Sequence, residues 1–168
     1  MTEHKSSHFG TFGRCKERPL DQMSDDERKA HDLVMRARRM VPGPYKIWLQ
    51  NPKLTEAMLP IGLHYQGKSS LSKAEIEIVV NLTNGKWLAA FSNHEHEWMA
   101  ELLGGLPAGK VQALLRPRVI PRGLYQRAID LLGDAGLTDA IAFIGYFTTV
   151  SLALRAYDVP SGATGLQH

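Results

Sequence analysis

Two short stretches of the chain carry carboxylates and imidazoles at close spacing: Ser72-Lys73-Ala74-Glu75-Ile76-Glu77 and Ser92-Asn93-His94-Glu95-His96-Glu97-Trp98. An imidazole changes charge near neutral pH, and a desolvated carboxyl is driven toward the same range, so such a pair can serve as acid and base. At 100° per residue, Ile76, Ile78, Val79, Val80, Leu82 and Trp87 share one broad arc, and Glu75 lies inside it. Glu77 falls on the opposite side with Asn81 and Asn84, where the pattern places it in solvent. Glu75 is therefore the candidate acid, although Ser72-Lys73-Ala74-Glu75 also spells a capping box and the two roles are compatible.

In the second stretch Leu88, Phe91, Trp98, Met99 and Leu102 form an apolar stripe with Glu95 in its middle, if the helix is continuous. His94 borders that stripe and His96 lies on its other flank. Histidines at i and i+2 project about 200° apart, so a regular helix cannot present both to one metal ion. Proton transfer is the chemistry that fits, with structural histidines as the competing account. On one unbroken helix Glu75 and His94 would stand ~28 Å apart, because each residue rises ~1.5 Å. The chain must turn between them or a second subunit must intervene, and Asn84-Gly85 is the candidate turn.

The elements that must position these groups read as helices. With 168 residues and 43% hydrophobic content the chain is sized for one domain with a real core. Residues 1–23 lack periodicity and are expected as a flexible leader, with the ordered domain spanning 24–168. Ser24-Asp25-Asp26-Glu27 is a capping box that starts a helix to about Arg39, stopped by Pro42-Gly43-Pro44. Asn51-Pro52 opens another, in which Pro60 predicts a kink or break. The Ser72 box starts a third and Ser92-Asn93-His94-Glu95 is a further box. A short helix is expected from Leu106-Pro107 to Leu115, another over Leu124–Leu132 ending at Gly133, and Thr138-Asp139 should cap an apolar helix to about Tyr157. That last helix is apolar nearly all round, which suits a bundle centre or a subunit interface. The fold class is all-α, without internal repeat.

Twenty basic residues against seventeen acidic ones leave a net charge of +3 spread along the chain, so Arg36, Arg38 and Arg39 read as a solvated helix end and nucleic acid is not expected as a partner. One cysteine, Cys15, excludes an internal disulfide, a Cys-x-x-Cys pair and zinc-finger spacing. No charged start with an apolar stretch precedes Ser24, and the run Ala140–Leu154 falls short of a spanning helix, so the expectation is a cytoplasmic protein with no membrane segment.

The residues in order resemble the carboxymuconolactone decarboxylase family, the helical superfamily that includes AhpD-like peroxidase accessory proteins. Val41-Pro-Gly-Pro-Tyr-Lys-Ile-Trp-Leu-Gln-Asn-Pro is similar to its entry segment, Ser70-Leu-Ser-Lys-Ala-Glu-Ile-Glu-Ile-Val to the helix bearing its buried glutamate, and Ser92 to Trp98 to its histidine segment. Gly145-Tyr-Phe-Thr-Thr-Val through Ala156-Tyr-Asp-Val-Pro is similar to its last helix. The resemblance implies an AhpD-like multi-helix bundle, a homo-oligomer such as a trimer or hexamer, and a cofactor-independent lyase acting on a small carboxylated molecule. It matches Glu75 to the family's acid and His94 to its histidine, or His96 if the register is anchored on Glu77. Glu75 or Glu95 would donate the proton, and His94 or His96 would act as base or bind the substrate carboxylate. No cofactor and no metal is implied. The family's redox cysteines fall at Trp87 and Ala90, which disfavours disulfide chemistry, and a helix is missing between Leu115 and Arg118. A non-catalytic helical oligomer is the alternative.

Overall fold

The computed structural model describes residues 10–92, 94–96 and 122–166. Among them there is no strand, only an isolated bridge pairing Phe12 with Cys15, and the fold is all-α. The helices are α1 (Asp25–Arg38), α2 (Gly43–Trp48), α3 (Pro52–Gly67), α4 (Lys73–Trp87) and α5 (Arg122–Ala156), with further helical residues at 90–92 and 94–96. The expected helix from Leu106 to Leu115, the junction at Leu115–Arg118 and the stripe residues Trp98, Met99 and Leu102 lie outside the described residues.

Helix starts follow the capping signals. Ser24 accepts the Glu27 amide and Glu27 returns to the Ser24 N–H, while Arg18 Nη1 grips both Glu27 oxygens at 2.7 Å. Burial opposes the Glu27 charge, but the Ser24 backbone and hydroxyl bonds and the Arg18 guanidinium outweigh it and hold the carboxyl below its usual range. Asn51 caps α3 by accepting the Leu54 amide, with Pro52 in the first turn. Of the kink or break expected at Pro60, the break does not occur: the helix runs on through it. Pro60 and Glu56 are both exposed, so the carbonyl deprived of its N–H partner faces water rather than the core.

Two further expectations change. From Gly10 onward the presumed leader is packed: Phe12 and Cys15 are fully buried, the Arg14 amide donates to the Tyr157 carbonyl at 2.6 Å, and Leu20–Gln22 form a single 3₁₀ turn. Sparse periodicity concealed this because a few apolar residues, not a stripe, anchor the segment. Gly133 does interrupt α5, with φ 68 and ψ 175, but the second half resumes at once. Thr138 lies inside it, its hydroxyl donating to the Asp134 carbonyl at 2.8 Å, so Thr138-Asp139 is not its cap.

Asp139 instead receives the chain that leads into α4. Its carboxylate accepts the Ser70 amide at 2.6 Å, the Ser69 hydroxyl at 2.9 Å and His64 Nε2 at 3.0 Å. This fixes the start of α4 beside α5, and the two helices then run in the same direction, Leu71 near Gly136 and Asn84 against Ser151. The core between them and α2–α3 is aromatic: Tyr65 stacks on Phe143 at 3.8 Å, and Trp48, Tyr146 and Phe147 complete the group. Each such ring removes enough apolar surface from water to stabilise the fold by roughly 1.5–3 kcal/mol. Helix α5 is the one helix among the described residues long and apolar enough to cross a membrane by length and composition. Its buried side, with Ala140, Phe143, Phe147, Val150 and Leu154, packs as a core helix does, while Ile141 and Leu152 are exposed.

Candidate active site

Helix α4 ends at Trp87, where Leu88 takes a left-handed conformation (φ 52) and its N–H and that of Ala89 both return to the Asn84 carbonyl. The bend lies there and not at Asn84-Gly85. Leucine is a costly residue for this backbone, yet its side chain is 76% exposed and hinders nothing. Helical residues resume at 90, and Phe91 is driven into the core edge-on to Phe12. Ser92 is buried within this helical stretch rather than standing ahead of it, so the third capping box does not start a helix there.

The bend brings His96 back onto α4. His96 Nδ1 lies 2.8 Å from Glu77 Oε2, nineteen residues away in the chain. Asn81 locks the return: its Nδ2 donates to the Glu77 carbonyl at 2.8 Å and to the His96 carbonyl at 3.2 Å. The imidazole meets the Phe147 ring edge-on at 5.4 Å, and 22% of its side chain remains exposed. Glu77 is only 7% exposed. A carboxylate on Nδ1 fixes the tautomer with the proton on that nitrogen, so Nε2 is the atom offered to a reactant.

The other candidates fall elsewhere. Glu75 completes the Ser72 cap, its Oε2 accepting the Ser72 amide at 2.7 Å, so it serves the helix start and joins neither histidine. His94 and Glu95 are exposed on the outer side of the short helix. The face assignment on α4 is thus reversed for its polar residues: Glu77, Thr83 and Asn84 are buried together with Val79 and Val80. They are tolerated inside because each has a counterpart, namely His96 for Glu77, the Val79 carbonyl for Thr83 and the Ser151 hydroxyl for Asn84. Sequence contained a signal for this. Glu-x-Glu and His-x-His are offset equally, so Glu77 pairs with His96 at the spacing that pairs Glu75 with His94.

Cys15 is buried, accepts a hydrogen bond from Gln50 Nε2 at 2.8 Å, and sits beside the Lys46–Glu17 ion pair. Burial pushes its thiol up, more than the Gln50 bond lowers it, which keeps it protonated and a poor nucleophile. Among the described residues no group of three or more His, Cys, Asp or Glu could hold a metal ion. Comparison of the chain with protein-family models, with curated proteins and with solved structures finds no match.

Proposed function

We propose that this protein is a cofactor-independent carboxy-lyase of the carboxymuconolactone decarboxylase kind, acting on a small carboxylated lactone or related acid, with Glu77 and His96 as its working pair. The supporting observation is the 2.8 Å contact between a buried carboxylate and a half-buried imidazole across a bend. Glu77 orients the ring and compensates its positive charge; protonated His96 offers Nε2–H to the substrate. As the bond to the departing carboxylate breaks, its electron pair is left on carbon, conjugated with the lactone carbonyl, and carbon dioxide leaves. The Nε2 proton then quenches that carbon and the imidazole recovers a proton from water, so one proton is consumed per turnover. Association into a trimer or hexamer belongs to the same reading, and sedimentation of the purified chain tests it.

The decisive experiment is carbon dioxide release from carboxylated γ-lactones by wild type, Glu77→Gln and His96→Ala. His96→Ala should lower kcat at least a hundredfold, and Glu77→Gln, which keeps a polar contact but not the charge, should lower it less. Turnover unchanged in both variants overturns the reading. The alternative, a non-catalytic helical oligomer, draws on the Asn81 bonds that make the same pair a clasp across the bend; it predicts variants that lose stability and a wild type without turnover.

A further inference from the structure

Asn84 lies two turns beyond Glu77 on the same face of α4, and it is fully buried. Its Oδ1 accepts the Ser151 hydroxyl at 2.9 Å, which fixes the amide plane. Among the described residues its Nδ2 has no hydrogen-bond partner. An unmade bond from a buried amide is a standing cost, and interiors retain few of them without a use. One turn further on, the seam between α4 and α5 opens into a cavity of about 190 Å³ lined by Leu88, Ala90, Leu154, Arg155, Asp158 and Val159. Leu88 follows Asn84 by four residues and Leu154 follows Ser151 by three, which puts this cavity one turn beyond the Asn84–Ser151 pair along both helices, with neither residue of the pair in its lining. Leu88, Ala90, Leu154 and Val159 supply apolar side chains to it, but more than half of its wall surface is polar. Asp158 faces Arg14 at 3.5 Å, which leaves the Arg155 guanidinium as the charge available to an entering anion.

We infer that Asn84 is a specificity-determining residue of the Glu77–His96 site, its Nδ2 donating to a carboxylate or carbonyl oxygen at the far end of an acid that enters by the cavity past Arg155. The inference rests on the lyase reading. Glu77 and Asn84 stand about 10 Å apart along the helix axis, the order of length of an extended lactone acid bearing an oxygen function at each end. Asn81, between them, has its donor turned back onto the Glu77 and His96 carbonyls, so Asn84 supplies the outer contact. A shorter acid could reach the reacting pair or the amide but not both. The site therefore selects by length, and a neutral group in place of the distal oxygen forfeits the bond.

The test uses the full chain and γ-carboxymethyl-γ-butyrolactone, a saturated lactone acid that binds without losing carbon dioxide. On titration the side-chain amide resonances of Asn84, identified by their loss in Asn84→Asp, should move saturably together with the ring resonances of His96. Asn84→Asp keeps the acceptor for Ser151 and replaces the donor by a second acceptor; it should weaken probe binding ten- to hundredfold, the span expected for a bond to a charged group. Asn84→Leu, which fills the space without a donor, should do the same. Shifts at His96 without shifts at Asn84 overturn this inference and leave the lyase reading intact, and they are read in the wild-type protein even if a variant fails to fold. Saturable shifts at Asn84 in a protein that turns over no lactone acid sustain the donor role and overturn the lyase reading instead. Absence of saturable binding overturns the inference.

Discussion

Across the bend at Leu88, Asn81 holds both ends of the turn with a single amide, donating to the carbonyls of Glu77 and His96 at 2.8 and 3.2 Å. The side-chain contact between Glu77 and His96 therefore depends on a backbone geometry that a third residue enforces. Asn81→Ala should leave two carbonyls without this donor and cost about 1–2 kcal/mol. If the pair works as proposed, kcat should fall with it while Asn81→Gln recovers little, because the longer side chain cannot serve both carbonyls. Urea denaturation gives the first quantity and steady-state turnover the second.

Leu88 offers a prediction of opposite sign. Its left-handed conformation costs a leucine roughly 1–2 kcal/mol, and its exposed side chain returns little. Leu88→Gly should stabilise the protein by about 0.5–1 kcal/mol, since glycine pays no such penalty but has more freedom to lose. A thermal melt of the variant moving upward is the expected result; a decrease would mean that Leu88 makes contacts the exposed geometry does not suggest.

The Asp139 carboxylate ties His64, Ser69 and Ser70 to α5. Burial acts to raise its pKa, yet the Ser70 amide, the His64 ring and the Ser69 hydroxyl together lower it. A group depressed in the folded state contributes stability that is fully present above its unfolded value of about 3.9 and is lost as pH falls through the folded value. Wild type should therefore lose stability on acidification below about pH 4 more steeply than Asp139→Asn. At neutral pH Asp139→Ala removes the acceptor of His64, the Ser69 hydroxyl and the Ser70 amide and should cost about 0.5–1.5 kcal/mol, since the exposed Ser70 N–H can turn to water. Chemical denaturation across pH measures both.

The tail is held by an interior charge pair. Lys46 Nζ contacts Glu17 Oε1 at 2.9 Å and the Leu166 carbonyl at 2.6 Å, and the Leu166 amide donates to Glu17 Oε2 at 2.8 Å. Both charged side chains are more than nine-tenths buried. Lys46→Met leaves the Glu17 carboxylate uncompensated and should cost about 3–5 kcal/mol. Adding Glu17→Gln should recover a substantial part of that loss, a double-mutant cycle readable from denaturant midpoints.

Close packing at Gly62 gives the last prediction. A methyl group there would meet the Tyr45 hydroxyl at 2.7 Å and the Tyr146 hydroxyl at 2.8 Å, both set in the aromatic core. Helix propensity favours alanine by up to ~1 kcal/mol, but overpacking costs about 1–3 kcal/mol, so Gly62→Ala should be net destabilising. Gly67→Ala, in the same helix with nothing among the described residues within 4 Å of the added methyl, should be neutral or stabilising and serves as the control.

What the sequence determined by itself was the set of local decisions. The capping boxes at Ser24 and Ser72, the Asn51-Pro52 start and the break at Gly133 each depend on a few adjacent residues, and each stands where those residues put it. The all-α class follows from the same local signals. What only tertiary structure decided was which polar residues go inside. A helical wheel ranks Glu75 above Glu77 because it counts neighbours on one helix, whereas burial of Glu77 and Asn84 is licensed by His96 and Ser151 arriving from elsewhere. The residue that turns the chain was likewise hidden, since the bend fell on Leu88 and not on the glycine three positions earlier. Long-range partners satisfy hydrogen bonds and repay strain, and a reading confined to local sequence has no access to them.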